Sequence, residues 1–422
     1  MRAGCITPRA RLAAAVLASW IFAAGGEARA QSVADELTRA PRASQPVAAG
    51  EALRLEPILG VAGGIKADAP IQGPNEAKEA RVGTVAVSRF GVRVHVDDWL
   101  TVESELMANG GISLHGTSAF EGQAALQVRN QLVRVRLGAF QGEAGRITDE
   151  ASADFYSAHV ADVFLQDTAT RDPLLYSGYN LGNGVRGVVT LTPGVRLGLT
   201  LNGGNPVSTT GSLMVGGIFP PFDRFYIQPY QSIGKGPNHF PDDTFHIMMA
   251  TPSALVSVGP MDLRFALQGF VVNTDMTKGA DDPIRGVNLR GALRLRLLDG
   301  ALVPFANVAL VRNDTVSPTD VSQITGDKYT GLTTGAGVDV NLGTRFRCPW
   351  TCADGLGAQY VLVQYRTGSG PTSRLHYANL GATVWASSRL SFGARVALAL
   401  AVQPDVPTTG ELAGFLTTRF LL

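Results

Sequence analysis

Arginines at alternate positions are the residues with the clearest chemical potential in this 422-residue chain. Residues 287–297 read VNLRGALRLRL, with aliphatic side chains or glycine at odd positions, and Arg290, Arg294 and Arg296 at even ones. A period of two is typical of a β-strand, whose successive side chains point to opposite faces. One face of this strand would be apolar, and the other would present guanidinium groups that attract anions.

Further arginines occupy the same face of other alternating segments. Few carboxylates share that face, and they are chiefly Glu103, Glu105 and Asp339. The candidates for an anion-attracting surface are Arg134, Arg136, Arg186, Arg196, Arg290, Arg294 and Arg296. We expect Arg134 and Arg136 to pair with Arg186 and Arg196 on neighbouring strands and to form a basic wall. The alternative is that each charge is simply solvated in a water-filled interior.

The strand that carries Arg290 is too long for an ordinary soluble sheet. It runs for about eleven residues, turns at Asp299-Gly300 and returns as a second strand of similar length, whereas globular strands average about five or six residues. A tilted strand of about ten residues crosses a bilayer, and Asp-Gly favours a tight hairpin. Sixteen such segments follow one another: 51–65, 82–96, 99–113, 122–129, 132–140, 183–192, 195–203, 243–258, 261–273, 286–298, 301–312, 329–342, 356–367, 374–385, 389–402 and 411–422. We therefore predict an all-β fold, a transmembrane antiparallel up-and-down β-barrel of sixteen strands over residues 51–422, with fourteen or eighteen strands as the alternative counts.

The connections between these segments are alternately short and long. The predicted short turns are 97–98, 130–131, 193–194, 259–260, 299–300, 343–355 and 386–388. The predicted long connections are 66–81, 114–121, 141–182, 204–242, 274–285, 313–328, 368–373 and 403–410. Outer-membrane barrels have short periplasmic turns and long external loops, so the sequence places the turns in the periplasm.

The N-terminus has the pattern of a secretory signal peptide. Three arginines precede an apolar run at 12–24, and Ala28-Arg29-Ala30 supplies small residues at a cleavage site. A membrane anchor is the alternative, but the run is too short to span a bilayer as a helix. We predict a signal peptide at 1–30, a periplasmic N-terminal extension at 31–50, and export to the outer membrane of a Gram-negative cell.

The charge balance and the cysteines narrow the possible partners. Removing residues 1–30 takes four arginines and one glutamate from the 36 basic and 35 acidic residues, which leaves a net charge of about −2. No basic excess argues for nucleic acid. Cys348 and Cys352 remain after cleavage, and an oxidising compartment favours a disulfide between them, with a metal site as the rival.

Nothing in the sequence marks a catalytic or cofactor site. The six histidines are scattered, no serine or carboxylate stands at triad spacing, and no glycine-rich phosphate loop appears. A serine–histidine pair brought together only by folding is the remaining catalytic alternative. We expect no enzyme, no cofactor and no metal.

The chain resembles a sixteen-strand Gram-negative outer-membrane porin over its whole mature length. Residues 132–145, LVRVRLGAFQGEAG, followed after a long insert by 183–191, NGVRGVVTL, resemble the phosphate-selective porin family. Residues 412–422 resemble the terminal signal read by the barrel-assembly machinery, with Phe420 near the end. The resemblance implies a passive diffusion channel for small hydrophilic solutes, with a preference for phosphate or other small anions. It also implies a homotrimer embedded in outer-membrane lipid.

The resemblance also implies that the long third outer loop folds into the pore. In connection 141–182 the candidate constriction residues are Asp149, Glu150, Asp154 and Asp162. Connection 204–242 is the alternative plug. A structural or adhesive barrel, whose long loops bind an external partner, is the alternative function.

Overall fold

The computed structural model describes thirteen stretches of the chain. They are residues 47–48, 52–72, 80–115, 119–146, 157–160, 183–192, 194–204, 245–274, 284–316, 324–346, 353–367, 369–404 and 406–421. The predicted signal peptide (1–30) and connection 205–244 lie outside the described residues, as does the predicted extension (31–50) apart from 47–48. Among the described residues, no helix is long and apolar enough to cross a membrane.

Almost every described residue belongs to a β-strand. The first nine strands are β1 (Val47–Ala48), β2 (Leu53–Gln72), β3 (Arg81–Val96), β4 (Leu100–His115), β5 (Ala119–Leu137), β6 (Phe140–Arg146), β7 (Asn183–Thr192), β8 (Val195–Gly204) and β9 (Phe245–Val258). The remaining strands are β10 (Met261–Thr274), β11 (Ile284–Leu295), β12 (Leu302–Val316), β13 (Ile324–Thr344), β14 (Ala353–Thr367), β15 (Ser373–Trp385), β16 (Leu390–Gln403) and β17 (Val406–Leu421).

The strands from β2 to β17 form one closed antiparallel barrel. Each pairs with its neighbours in the chain, and β17 closes the ring on β2, with Leu416 opposite Ile65. The two-residue β1 adds a short pairing beside β2, with Val47 opposite Leu55. The predicted all-β, sixteen-stranded up-and-down barrel is therefore confirmed.

The predicted boundary between the fourth and fifth barrel strands is wrong. The expected turn at 130–131 lies inside β5, where the register with β4 jumps from Asn130 to Val128 and leaves Arg129 as a bulge. The turn falls instead at Gly138, whose φ of +58° favours glycine. The expected strand 132–140 is thus the end of β5, and β6 extends to Arg146 into the stretch predicted as a loop.

The barrel has two distinct ends, which we call the turn end and the loop end. Short turns lie at the turn end and are joined by backbone hydrogen bonds: Arg136 N–H donates to the Trp99 carbonyl oxygen at 2.7 Å, and Ser257 N–H donates to that of Gly194 at 2.6 Å. The long connections leave from the opposite, loop end, but the predicted long connection 403–410 is wrong, because β16 ends at Gln403 and β17 begins at Val406. This alternation confirms the up-and-down topology and leaves the inner wall of the barrel as the place for a functional site.

Candidate functional site

Alternation along each strand separates an apolar outer face from a polar inner face. On β11, Val287 and Leu289 are about half exposed on the outside, whereas Arg290 on the opposite face is 2% exposed. A ring of exposed aliphatic and aromatic side chains surrounds the barrel, as lipid contact requires. The arginines predicted on alternate positions of β11 lie on the inner face, as the period of two indicates.

The expected contact between Arg134 and Arg186 is interrupted by Glu143. Because β6 lies between β5 and β7, Glu143 stands opposite Arg134 on one side and Arg186 on the other. The Glu143 carboxylate is buried and accepts hydrogen bonds from Arg134 Nε at 2.5 Å and Gln141 Nε2 at 2.7 Å. The predicted basic wall therefore contains a carboxylate, which the sequence analysis had assigned to the following loop.

Arg136 and Arg196 lie toward the turn end on different strands. Arg136 is exposed on β5, opposite Gln141 of β6. Arg196 is half-buried on β8, opposite Thr190 on one side and Leu255 on the other. Arg196 is thus not beside Arg136, since β6 and β7 separate their strands.

A larger cluster of arginines occupies the inner face of β8–β11, which we call the basic face. Leu255 of β9 is paired with Arg196 of β8 on one side and with Arg264 of β10 on the other. Arg290 of β11 is paired with Ala266, two residues along β10 from Arg264. The members of the basic face are Arg196, Arg264, Arg290, Arg294 and Arg296, with Asp262 as the one carboxylate among the described inward residues of these four strands.

Asp262 is shared by two of these arginines. Its Oδ2 accepts from Arg294 Nη2 at 2.6 Å and from Nε at 3.1 Å, and its Oδ1 lies 3.3 Å from Arg296 Nη2. Among the described inward residues of β8–β11, arginines therefore outnumber carboxylates by five to one. The sequence analysis missed Asp262, although it alternates with apolar residues in MDLRFAL.

A cluster of one arginine and two glutamates lies near the turn end of β2–β4. Arg93 donates to Glu103 Oε2 from Nε at 2.7 Å and to Glu56 Oε1 from Nη1 at 3.0 Å, and all three side chains are buried. The second Glu56 oxygen lies 3.0 Å from His95 Nε2. The sequence analysis placed Glu103 on the inner face but missed Glu56.

Four residues of the long connection, Ser157–Val160, lie against the inner wall of β13–β16. Ser157 Oγ donates to Asp339 Oδ1 at 2.5 Å, and the Ala158 N–H donates to Oδ2 at 2.9 Å. His159 Nε2 is 2.8 Å from Asn341 Oδ1, and Arg395 Nη1 donates to the Val160 carbonyl oxygen at 3.2 Å. Part of the connection predicted to enter the barrel is therefore inside it.

Three inward glycines make room for this segment. A Cβ atom on Gly357 would overlap Ser157 Oγ, one on Gly355 would overlap the His159 ring, and one on Gly381 would overlap the His159 carbonyl oxygen. Any larger side chain on β14 or β15 at these positions would displace the segment from the wall. The sequence analysis did not assign this docking site, because its two halves lie some 180 residues apart.

Other predicted site residues lie outside the described residues. These are Asp149, Glu150, Asp154 and Asp162 of the predicted constriction and the predicted disulfide partners Cys348 and Cys352. Their roles stay predictions. In the part of the chain that the structure describes, no group of three or more histidine, cysteine or acidic residues could hold a metal ion.

The chain folds as a closed sixteen-stranded β-barrel with a polar inner face, a fold that it shares with solved outer-membrane porins. Over 89% of this chain and all of the other, the barrel is similar to OmpF of Salmonella typhi, solved with daunomycin, with a TM-score of 0.52 at 12% identity. It is also similar to a loop-deletion mutant of OmpT, an outer membrane protein of Vibrio cholerae, over 88% and 99% of the two chains, with a TM-score of 0.50 at 9% identity. A high-pH structure of OprB from Pseudomonas putida gives a TM-score of 0.50 at 13% identity over 87% and 94%. No protein-family model matches the sequence, and no curated protein matches it either. At these identities the likeness defines the fold.

Proposed function

We propose that this protein is a passive diffusion channel for small hydrophilic solutes, with a preference for anions. The observation that carries the proposal is the basic face of β8–β11 inside a closed barrel whose outer surface is apolar. Guanidinium groups on a water-filled inner wall raise the local concentration of anions. Phosphate and other small oxyanions fit best, because guanidinium groups form charge-assisted hydrogen bonds with them.

The expected size of the effect is modest for each charge. At about 7 Å and an effective dielectric constant of about 40, one unit charge changes the energy of a passing monovalent ion by roughly 1.2 kcal/mol. Physiological salt, with a Debye length of about 8 Å, reduces this by more than half. The field of two or three arginines of the basic face close to a passing ion is therefore enough for a several-fold preference.

The proposed location is the outer membrane of a Gram-negative cell. The N-terminal signal pattern supports export with cleavage after residue 30, and the apolar outer surface supports insertion in outer-membrane lipid. The C-terminal β17 would carry the signal for the barrel-assembly machinery. A homotrimer is proposed by resemblance, and the segment Ser157–Val160 supports a constriction formed by connection 147–182.

Planar bilayers test the channel directly. The purified protein should give stable single-channel steps in KCl, and its reversal potential in a salt gradient should lie on the anion side, more strongly at low salt. Replacing chloride by phosphate should keep a measurable anion current. A structural or adhesive barrel would give no conductance under any of these conditions, and a reversal potential on the cation side would refute the anion preference.

A further inference from the structure

A groove of about 500 Å³ runs over the outer surface of β11–β14 near the loop end. Its apolar part is formed by Val287, Leu289, Leu310 and Leu332. Its polar part is formed by Thr330 with Arg312 and Arg366. Val287, Leu289 and Leu310 are each about half exposed and belong to the outer face. The groove therefore opens toward lipid and is separate from the basic face inside the barrel.

Arginines form the rim of this groove at the loop end. Thr330 on β13 stands opposite Arg312 of β12 on one side and Arg366 of β14 on the other, so the two arginines occupy one level of the barrel. Arg374 on β15 does not line the groove but extends the same row, opposite the lining residue Gln364. All three arginines are exposed. The rim is a row of positive charge directly beside an apolar surface.

These rim arginines differ from those on the inner wall. Arg93, Arg134 and Arg294 each donate to a carboxylate, whereas no carboxylate among the described residues lies within ion-pair distance of Arg312, Arg366 or Arg374. A charged side chain on the lipid face is costly at the bilayer midplane and tolerated only near the interface. The row therefore marks the headgroup level of the leaflet at the loop end.

We propose that this groove binds a phosphorylated, acylated lipid of the outer leaflet. Its phosphate would lie between Arg312 and Arg366, which provide charge-assisted hydrogen bonds. An acyl chain would lie along Leu289, Leu310 and Leu332. The proposal rests on the proposed outer-membrane location only for the choice of leaflet, and it is independent of conduction through the barrel.

Native mass spectrometry of the detergent-solubilised protein tests the site, with diphosphorylated lipid A as the probe and phosphatidylcholine as the neutral comparison. The wild type should retain lipid A in preference to phosphatidylcholine. Arg312→Gln with Arg366→Gln should weaken lipid A binding roughly tenfold or more. The matched control is Arg345→Gln with Arg389→Gln, which removes two charges at the turn end and should leave binding within about twofold of the wild type.

A second variant tests the groove itself. Thr330→Trp fills the space between Arg312 and Arg366 without changing charge, and should lower lipid A binding while the barrel stays folded. Glycerol 3-phosphate, which has a phosphate but no acyl chain, should displace lipid A roughly a hundredfold less well than a second lipid A does.

Several results would overturn the proposal. Lipid A binding that is unchanged in the arginine double variant or in Thr330→Trp would do so. So would glycerol 3-phosphate competing as well as lipid A does. So would a variant in which the number of protein copies per complex changes while the bound lipid A is retained. Conductance of the arginine double variant should equal that of the wild type. A wild type that binds lipid A but does not conduct would refute the proposed channel and leave this site standing.

Discussion

Two sectors of the inner wall use arginine in opposite ways. On β2–β6, Arg93 and Arg134 are matched by Glu56, Glu103 and Glu143, so the wall is close to neutral. On β8–β11, five arginines lie on the described inner face together with one carboxylate, Asp262, which pairs with Arg294 and Arg296. The alternating pattern is the same in both sectors, but one should contribute mainly to stability and the other mainly to the field acting on ions. The difference shows that counting inward arginines does not locate a filter, because their cross-strand partners decide the local charge.

The β2–β6 sector should lose more stability than the β8–β11 sector when an arginine is removed. Arg93→Met would leave the buried Glu56 and Glu103 carboxylates without their guanidinium and should cost roughly 3–5 kcal/mol of unfolding free energy. Urea unfolding of the protein refolded into lipid vesicles measures this loss. Arg93→Lys keeps one positive charge, so its free energy of unfolding should fall by less than that of Arg93→Met. A loss below about 1 kcal/mol in Arg93→Met would show that the cluster is hydrated and not tightly coupled.

The docked segment should respond strongly to added volume. Gly357→Val would overlap Ser157 and displace the hydrogen bonds to Asp339, which are worth about 1 kcal/mol each or somewhat more with a charged acceptor. Single-channel recordings should then show larger current fluctuations, because the connection is no longer held to the wall. The control is Gly414→Val on β17, where a Cβ would have no atom within 4 Å. Equal noise in the two variants would mean that Ser157–Val160 does not shape the conducting path.

The basic face of β8–β11 should lose less stability than the β2–β6 sector when an arginine is removed. Arg296→Gln removes an exposed charge that lies 3.3 Å from an Asp262 already paired with Arg294, and it also relieves repulsion between like charges. The change in unfolding free energy should stay within about 0.5 kcal/mol. A loss comparable with that of Arg93→Met would erase the distinction between the two sectors.

The sequence predicted the barrel and its faces because alternation is a local signal. Each strand carries its own period of two, so the outer Val287 and the inner Arg290 could be assigned without knowledge of the neighbours. The turn at 138–139 was missed because the irregularity at 129–131 is a bulge, which interrupts alternation in the same way as a turn.

The partners of the inner charges could not be predicted in the same way. Glu143 was assigned to a loop, and only the β5–β6 register places it opposite Arg134. The contact of Ser157 with Asp339 joins residues 182 positions apart and depends on the path of the connection, not on strand periodicity. The proposed filter accordingly lies on the basic face of β8–β11 and not on the part of the predicted basic wall that holds Arg134, Arg136 and Arg186.

The reversal potential of two matched double variants tests the central claim, that the basic face of β8–β11 sets anion preference. Arg294→Gln with Arg296→Gln removes two positive charges from that face, and Arg134→Gln with Glu143→Gln removes one charge of each sign from the neutral sector. The reversal potential is measured in a KCl gradient at low ionic strength, and it gives the ratio of anion to cation permeability. In the first variant this ratio should fall several-fold with conductance preserved, and in the second variant it should match that of the wild type. A first variant that kept the wild-type reversal potential, or a second that shifted as far as the first, would contradict the claim.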